Sequence, residues 1–191
     1  MTLNGPRIRL RPWRLPADLD GLFAINGDAE AMRHFAKTHT RAESDAWGRT
    51  IDGHFDAHGW GFWVVEWPGI VPLAGVVGLQ HVTFDAPFTP AVEIGWRIAT
   101  RFQRQGLAEE AARLALAHGF GPLALPRIVA FTPPANAASW RLMERLGMVR
   151  AADFEHPRLP EGHLLRTHRL HALTRAGWMA SRLSAPRGDG Q

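Results

Sequence analysis

The chain has 191 residues, of which 46% are hydrophobic and 21% charged, and its formal net charge is +4. These values are typical of one globular domain with a sizeable core. The absence of cysteine excludes disulfides, thiolate metal ligands and a thiol nucleophile, and it favours a cytoplasmic protein. No apolar run approaches the ~18–20 residues of a membrane-spanning helix, so we expect no membrane contact.

The hydrophobic pattern predicts alternating strands and helices. In chain order it predicts a strand (about 6–13), three helices (17–26, 29–36 and 42–58), three strands (61–66, 73–83 and 91–99), a helix (106–119), a strand (127–132), a helix (136–146), two strands (149–154 and 164–171) and a last helix (172–183). This mixture predicts an α/β (α+β) fold with helices on both faces of a sheet. We expect one domain over residues 1–183 and a disordered tail over residues 184–191.

A polar loop, Gln103–Ala108, joins the predicted strand at 91–99 to the predicted helix at 106–119. The first N–H groups of a helix have no intrahelical partner, and the helix dipole favours negative charge there. Gly106 lets the backbone turn and approach a ligand closely. The junction therefore predicts a phosphate or pyrophosphate site, although neither a P-loop nor a G-x-G-x-x-G motif is present.

A second motif follows the predicted strand at 127–132. Residues 136–148 read N-x-x-S-x-x-L-M-E-R-L-G-M, in which Ser139 and the apolar residues at i+3, i+4 and i+7 from it share one helical face. Asn136 is suited to cap the helix at its start, and Gly147 is suited to end it. The pattern predicts a short amphipathic helix.

Together these two motifs resemble those of the GNAT acetyltransferase superfamily, whose pyrophosphate loop is written Q/R-x-x-G-x-G/A. Gln103, Gly106 and Ala108 fill its three fixed positions. The motif at 136–148 is similar to that of the Rim-type branch, which includes the ribosomal-protein N-terminal acetyltransferases. The resemblance covers most of the chain, with the opening and central strands in the correct order.

The resemblance implies a GNAT-like sheet of about seven mixed, mostly antiparallel strands. The fourth and fifth strands, at 91–99 and 127–132, would splay apart around the pantetheine arm of acetyl-CoA. Acetyl-CoA is implied as a cosubstrate, with no metal. The residues implied to bind it are Ile98, Gln103, Arg104, Gln105, Gly106, Leu107, Ala108, Asn136 and Ser139.

Arg104 occupies a position where relatives often carry a second glycine. A guanidinium group matches the geometry of phosphate, so we expect a phosphate contact; the alternative is that Arg104 points to solvent. Residues 101–191 carry thirteen Arg and seven Asp/Glu, whereas residues 1–100 are net negative. A polyanion such as coenzyme A would explain this asymmetry, and a coding bias toward arginine is the alternative explanation of the basic pI of the chain.

Acetyl transfer to an amine needs a base for the nitrogen and a proton for the departing thiolate. The resemblance implies Glu93 as the base, directly or through a water, and Ser139 as the thiolate partner. Met143 stands where many relatives carry a tyrosine acid, and this chain has no tyrosine. Glu93 would alternatively pair with an arginine, and Ser139 would only bond within its own helix. We expect loss of the Glu93 carboxylate to lower the rate most at low pH.

The ten histidines show no metal-binding pattern in the sequence. His54 and His58 are spaced i, i+4 on a predicted helix, but no glutamate follows His54 as in H-E-x-x-H. We therefore predict no metal site.

These features predict an acetyl-CoA-dependent N-acetyltransferase that acts by direct transfer on a primary amine, either a protein N-terminus or a small molecule. The alternatives are an enzyme for a small or antibiotic amine and a coenzyme A-binding module without catalysis. A nucleic-acid partner is disfavoured because no RNA or DNA motif is present. The acceptor and the oligomeric state, including a homodimer, stay open.

Overall fold

The computed structural model describes residues 1–183, so the predicted tail at 184–191 lies outside the described residues. Eight strands form one sheet: β1 Leu3–Asn4, β2 Arg9–Arg11, β3 Phe62–Trp67, β4 Val71–His81, β5 Val92–Ile98, β6 Arg127–Thr132, β7 Val149–Glu155 and β8 Thr167–Thr174. The five helices are α1 Leu19–Asn26, α2 Arg41–His58, α3 Leu107–Phe120, α4 Ala137–Arg145 and α5 Arg175–Leu183. None of these described helices is long and apolar enough to cross a membrane.

The sheet order is β1-β2-β3-β4-β5-β6-β8-β7, and every described pair of neighbours is antiparallel except β5 with β6. This confirms the predicted mixed, mostly antiparallel sheet, with eight strands instead of about seven. The predicted opening strand at 6–13 is shorter, because Pro12 has no N–H to donate and β2 ends at Arg11. The unpredicted β1 pairs with β2 at the sheet edge.

The predicted helix at 29–36 was wrong, since this segment consists of turns. The Asp28 side chain accepts a hydrogen bond from the Glu30 N–H at 2.9 Å, which is the local bond of an Asx turn. Such a bond competes with helix formation. Single backbone bonds from Met32 to Asp28 and from Phe35 to Met32 follow, and no regular helix develops.

Strands β5 and β6 diverge, as predicted. Their parallel ladder consists of two residue pairs, Val92 with Ile128 and Glu93 with Val129. Over its whole length β5 stays paired with β4, from His81–Val92 to Gly75–Ile98. Beyond Glu93 the other edge of β5 therefore has no strand partner within residues 1–183, and a gap opens inside an otherwise continuous sheet.

A buried ion pair fixes the start of the chain to the sheet. The Arg11 guanidinium meets the Asp18 carboxylate in two bonds of 2.7 and 2.8 Å, and both side chains are almost fully buried. Arg11 also donates to the Pro72 carbonyl, while Asp18 accepts from the Arg14 N–H. The hydrogen bond to Asp18 raises the pKa of Arg11 against the effect of burial. The pair thus joins β2, the start of α1 and β4.

We expect Asp18→Ala to lower the free energy of unfolding by about 3–5 kcal/mol, because the buried Arg11 charge loses its two-bond partner and keeps only the Glu66 carboxylate at 3.2 Å. Urea denaturation followed by circular dichroism measures this loss. Asp153→Ala removes the exposed Arg150–Asp153 pair and serves as the control, which should change the stability little. Equal losses of stability in the two variants would contradict the stabilising role of the buried Arg11–Asp18 pair.

Candidate active site

A cavity of about 650 Å³ lies where β5 and β6 diverge. Its walls come from β5, the start of α3, α4 and the turns after α1. Nine of the ten sequence-predicted site residues line it, and Gln105 is the exception. The nine are Glu93, Ile98, Gln103, Arg104, Gly106, Leu107, Ala108, Asn136 and Ser139.

The loop before α3 has the backbone of an anion site. Arg104 and Gly106 both adopt left-handed conformations, with φ of 61° and 79°, and α3 begins at Leu107. The N–H groups of Arg104, Gln105 and Gly106 make no hydrogen bond to any described residue. Unpartnered amides next to the positive end of a helix dipole fit a phosphate or diphosphate.

Side chains on both flanks hold this loop in place. Gln103 donates to the Ile98 carbonyl at 3.0 Å, and Gln105 donates to the Arg101 carbonyl at 3.1 Å. Arg7 donates to the Gln105 carbonyl at 2.9 Å and is itself held by the Glu110 carboxylate at 2.8 Å. The Gln103 and Gln105 side chains therefore position the loop. Arg7 was missed because 98 residues separate it from Gln105.

The Arg104 side chain is exposed and pairs with no described residue, yet it borders the cavity. A left-handed backbone at a residue other than glycine, asparagine or aspartate costs about 1–3 kcal/mol. A glycine would adopt this conformation without that strain. The free guanidinium stands next to the unpartnered amides, where it adds positive charge.

Helix α4 presents one hydroxyl to the cavity. The Asn136 side chain caps the helix by accepting from the Ser139 N–H at 3.3 Å, and it donates to the Thr132 hydroxyl at 3.0 Å. Ser139 is 9% exposed and its hydroxyl has no hydrogen-bond partner among the described residues. Met143 is buried one turn further along the same wall.

Glu93 lies at the point where the two strands part. Burial raises the pKa of Glu93 to about 7, although a hydrogen bond from Gln80 and the charges of Arg158 and Arg97 each lower it. Glu93 forms no ion pair within 4.0 Å among the described residues, although the charges of Arg158 and Arg97 act on it. A carboxylate with a pKa near 7 is suited to act as a general base.

Arg97 forms the wall beyond Glu93, on the same face of β5. Its guanidinium carbon lies 4.3 Å from the ring centre of Phe35 and 4.2 Å from that of Trp47. It also donates to the Asn26 side chain at 2.8 Å. Burial lowers the pKa of Arg97 to about 10, and Glu93 partly offsets this. The alternation of residues along the strand predicts that Arg97 lies on the same face as Glu93. The aromatic partners of Arg97 come from distant segments, so the sequence did not reveal them.

Two histidines complete the cavity on the side of β7 and β8. The rings of His156 and His168 lie 5.0 Å apart, next to Phe131 and Phe154. Burial lowers the pKa of His156 to about 4 and shifts the pKa of His168 downward. Both imidazoles are therefore neutral at pH 7, and this end of the cavity is largely aromatic.

The fold brings together one group of histidines that their spacing in the sequence does not reveal. The fold brings His81 beside His54 and His58, so that one ring nitrogen of each lies within 4.8 Å of the others. His81 belongs to the end of β4 and the other two to α2, so sequence spacing alone does not reveal the group. None of the three lines the cavity.

Comparison with known proteins settles the family. Residues 7–149 match the acetyltransferase (GNAT) domain family. The chain belongs to the GNAT acetyltransferase family. It is 35% identical over 101 residues to the uncharacterized N-acetyltransferase YnaD of Bacillus subtilis, a match covering 52% of this chain and 59% of YnaD. It is 29% identical over 144 residues to the uncharacterized protein YkkB of the same organism, covering 74% of this chain and 81% of YkkB.

Solved structures share the fold. A GNAT-family acetyltransferase from Bacillus anthracis superposes with a TM-score of 0.77 at 23% identity, covering 92% of this chain and 99% of that one. RimJ of Mycobacterium smegmatis, solved in complex with CoA-disulfide, superposes with a TM-score of 0.73 at 20% identity, covering 95% of each chain. At these identities the likeness establishes the fold, and it confirms the GNAT-like architecture.

We expect Gly106→Val to weaken coenzyme A binding far more than it destabilises the fold. Valine at a φ of 79° is strained, and its side chain would meet Arg7 beside the unpartnered amides. Calorimetric titration with coenzyme A and urea denaturation measure the two effects separately.

Gly59→Val is the matched control for this variant. Gly59 has a φ of 74° and a ψ of 1°, close to the 79° and 0° of Gly106, but lies at the end of α2 away from the cavity. It should lose similar stability and keep coenzyme A affinity. Unchanged affinity in Gly106→Val would show that the loop is not the phosphate site.

Proposed function

We propose that this GNAT protein is an acetyl-CoA-dependent N-acetyltransferase that transfers an acetyl group directly to a primary amine. One observation carries the proposal: a single cavity runs from the unpartnered amides before α3 to the Glu93 carboxylate. The phosphate site and the base thus line the same cavity, at opposite ends of the unpaired edge of β5. Membership of the family supports acetyl-CoA as the cosubstrate.

In this proposal the Gln103–Ala108 loop binds the pyrophosphate of acetyl-CoA. The amides of Arg104, Gln105 and Gly106 and the start of α3 supply donors and positive potential, and the Arg104 guanidinium adds a charge. The pantetheine arm extends along the unpaired edge of β5, whose free backbone groups offer it hydrogen bonds. Ile98 and Asn136 border the same space.

The reaction joins the amine nitrogen to the thioester carbonyl carbon and breaks the carbon–sulfur bond. Glu93 removes a proton from the ammonium form of the acceptor, directly or through a water, so that a lone pair is free to attack. Ser139 stabilises the departing thiolate through a hydrogen bond from its hydroxyl. The thiolate takes up the second proton that the nitrogen loses after attack, so that one proton goes to Glu93 and the other ends on the thiol. Free N–H groups of β5 stabilise the carbonyl oxygen as it becomes negative. Holding both substrates together supplies much of the rate.

The acceptor is a primary amine of a protein N-terminus or of a small molecule. The motif at 136–148 supports the Rim-type branch and with it a protein N-terminus. The acceptor end of the cavity presents Trp47, Phe35 and the neutral His156, with Glu93 as the carboxylate. These walls favour an amine that carries an apolar or aromatic neighbour. Cytoplasmic location and a homodimer remain predictions.

A turnover assay with acetyl-CoA tests the function. Release of coenzyme A is measured with a thiol reagent against a panel of N-terminal peptides, small amines and aminoglycoside antibiotics, and product masses identify the acetylated nitrogen. Turnover on any primary amine supports the proposal. Coenzyme A binding without turnover across the panel indicates a binding module, and absence of binding contradicts the cofactor site as well.

We expect Glu93→Gln to lower kcat/KM by about 10²–10⁴-fold above pH 7, with little change in coenzyme A affinity. Below the folded pKa of about 7 the parent Glu93 is already protonated, so the gap between parent and variant narrows as the pH falls. This corrects the expectation of a greatest effect at low pH, which ignored the burial of the carboxylate. Profiles of kcat/KM from about pH 5.5 to about 9 for the parent and the variant measure how this gap changes with pH.

Glu144→Gln is the control for this profile, because Glu144 is an exposed carboxylate of α4 that does not line the cavity. It should keep the parent profile. A Glu93→Gln profile parallel to that of the parent would remove Glu93 from the role of base.

We expect Ser139→Ala to lower kcat while the Kd of coenzyme A stays within about twofold of the parent value. The proposed role of the hydroxyl is to stabilise the leaving sulfur after the amine has attacked, so it affects the reaction and not the binding of coenzyme A. Ser181→Ala is the matched control, since the Ser181 hydroxyl bonds to the Trp178 carbonyl on α5. A kcat within about threefold of the parent would show that Ser139 is not the thiolate partner.

A further inference from the structure

We propose that His54, His58 and His81 form a binding site for a divalent transition-metal ion, separate from the active-site cavity. One ring nitrogen of each lies within 4.8 Å of the others. The ring centres are 4.4 Å apart for His54 and His58, 5.2 Å for His58 and His81, and 6.0 Å for His54 and His81. The proposal does not depend on acetyl transfer.

The fold explains why three distant histidines meet. His54 and His58 are one turn apart on the last turns of α2, so their side chains share a face. The left-handed Gly59 then reverses the chain into β3. Because β3 pairs antiparallel with β4, from Phe62 opposite Gly78, the end of β4 at His81 returns to the end of α2.

His54 carries the hydrogen bond that orients a metal ligand. Its Nδ1 lies 2.9 Å from the Trp60 carbonyl oxygen, which can only accept, so Nδ1 bears the proton. The lone pair is therefore on Nε2, which is buried and has no hydrogen-bond partner among the described residues. Ligating histidines characteristically donate from their other nitrogen to a carbonyl or carboxylate in this way. An unpartnered buried nitrogen is otherwise unfavourable.

The environment keeps an imidazole neutral, as ligation requires. Burial lowers the pKa of His54, and the neighbouring His58 and His81 lower it further, while the Trp60 carbonyl acts in the opposite direction. The Trp60 ring packs against His54 and His81 with ring centres 5.0 and 5.1 Å apart. This apolar wall limits access of water on one side of the group.

The donor set selects the metal class. Three imidazoles without thiolate or carboxylate suit Zn²⁺, Cu²⁺ and Ni²⁺ rather than Mg²⁺ or Ca²⁺. Tetrahedral zinc with bonds of about 2.0–2.1 Å needs nitrogens about 3.3 Å apart, so the group must contract. His58 and His81 are exposed, and rotation of their side chains supplies that contraction. The ion would tie the end of α2 to the end of β4.

Zinc titration of the untagged protein, followed by competition with a chromophoric chelator, tests the site. We expect one Zn²⁺ per chain, a rise in melting temperature with Zn²⁺, and weaker binding at pH 5, where imidazoles protonate. His81→Ala discriminates best, because a helical His54–His58 pair alone would survive it. It should weaken zinc affinity at least about tenfold.

His163→Ala is the control, since His163 lies outside the group, and it should leave zinc affinity unchanged. Circular dichroism and coenzyme A titration establish that each variant is folded, and His81→Gln provides a second substitution at the exposed position. Equal zinc affinity in the parent and both His81 variants, or no stoichiometric binding by the parent, would overturn the proposal.

Discussion

The separation of β5 from β6 is the constraint on which the rest of the site depends. Two residue pairs hold the strands together, and the second includes Glu93. Beyond it the backbone of β5 is bonded on one edge only, so a ligand can occupy the place of a strand. The same divergence leaves Glu93 at the narrow end of an aromatic cavity, where burial moves its pKa toward neutrality. Backbone topology thus creates both the groove and a buried carboxylate whose pKa is near neutrality.

The two ends of the cavity are built differently. Backbone conformation forms the end next to α3, whereas side-chain packing forms the end that holds Arg97 and the two histidines. At the first, left-handed Arg104 and Gly106 turn successive amides away from any internal partner, and flanking side chains keep them so. At the second, Arg97 lies between two aromatic rings and two neutral histidines close the wall. In the proposed function, backbone amides recognise the constant pyrophosphate group, while the side chains of the opposite end determine which amine fits.

The sequence predicted the parts of this arrangement that local pattern encodes. The strand at 127–132 is present with those bounds, and α3 and α4 begin within a residue of their predicted starts. The loop was predictable because its glycine and its helix are adjacent in sequence. Three other features were not predictable, because each joins segments that are distant in the sequence. They are the contact of Arg7 with the loop, the aromatic partners of Arg97 and the grouping of His81 with α2. The raised pKa of Glu93 was not predictable either, because it depends on how deeply the side chain is buried. The alternation of residues along a strand does not predict that depth.

Arg104 shows how stability and function can be opposed at one residue. Its left-handed backbone is one that glycine adopts without strain, so Arg104→Gly would relieve a local cost while removing a cation from the edge of the cavity. Under the proposed function, a laboratory selection for heat resistance alone would therefore favour glycine there, and a selection for growth on scarce acetyl-CoA would retain arginine. Thermostabilised descendants of this protein should accordingly be screened for cosubstrate affinity before their improved melting temperature is taken as a gain.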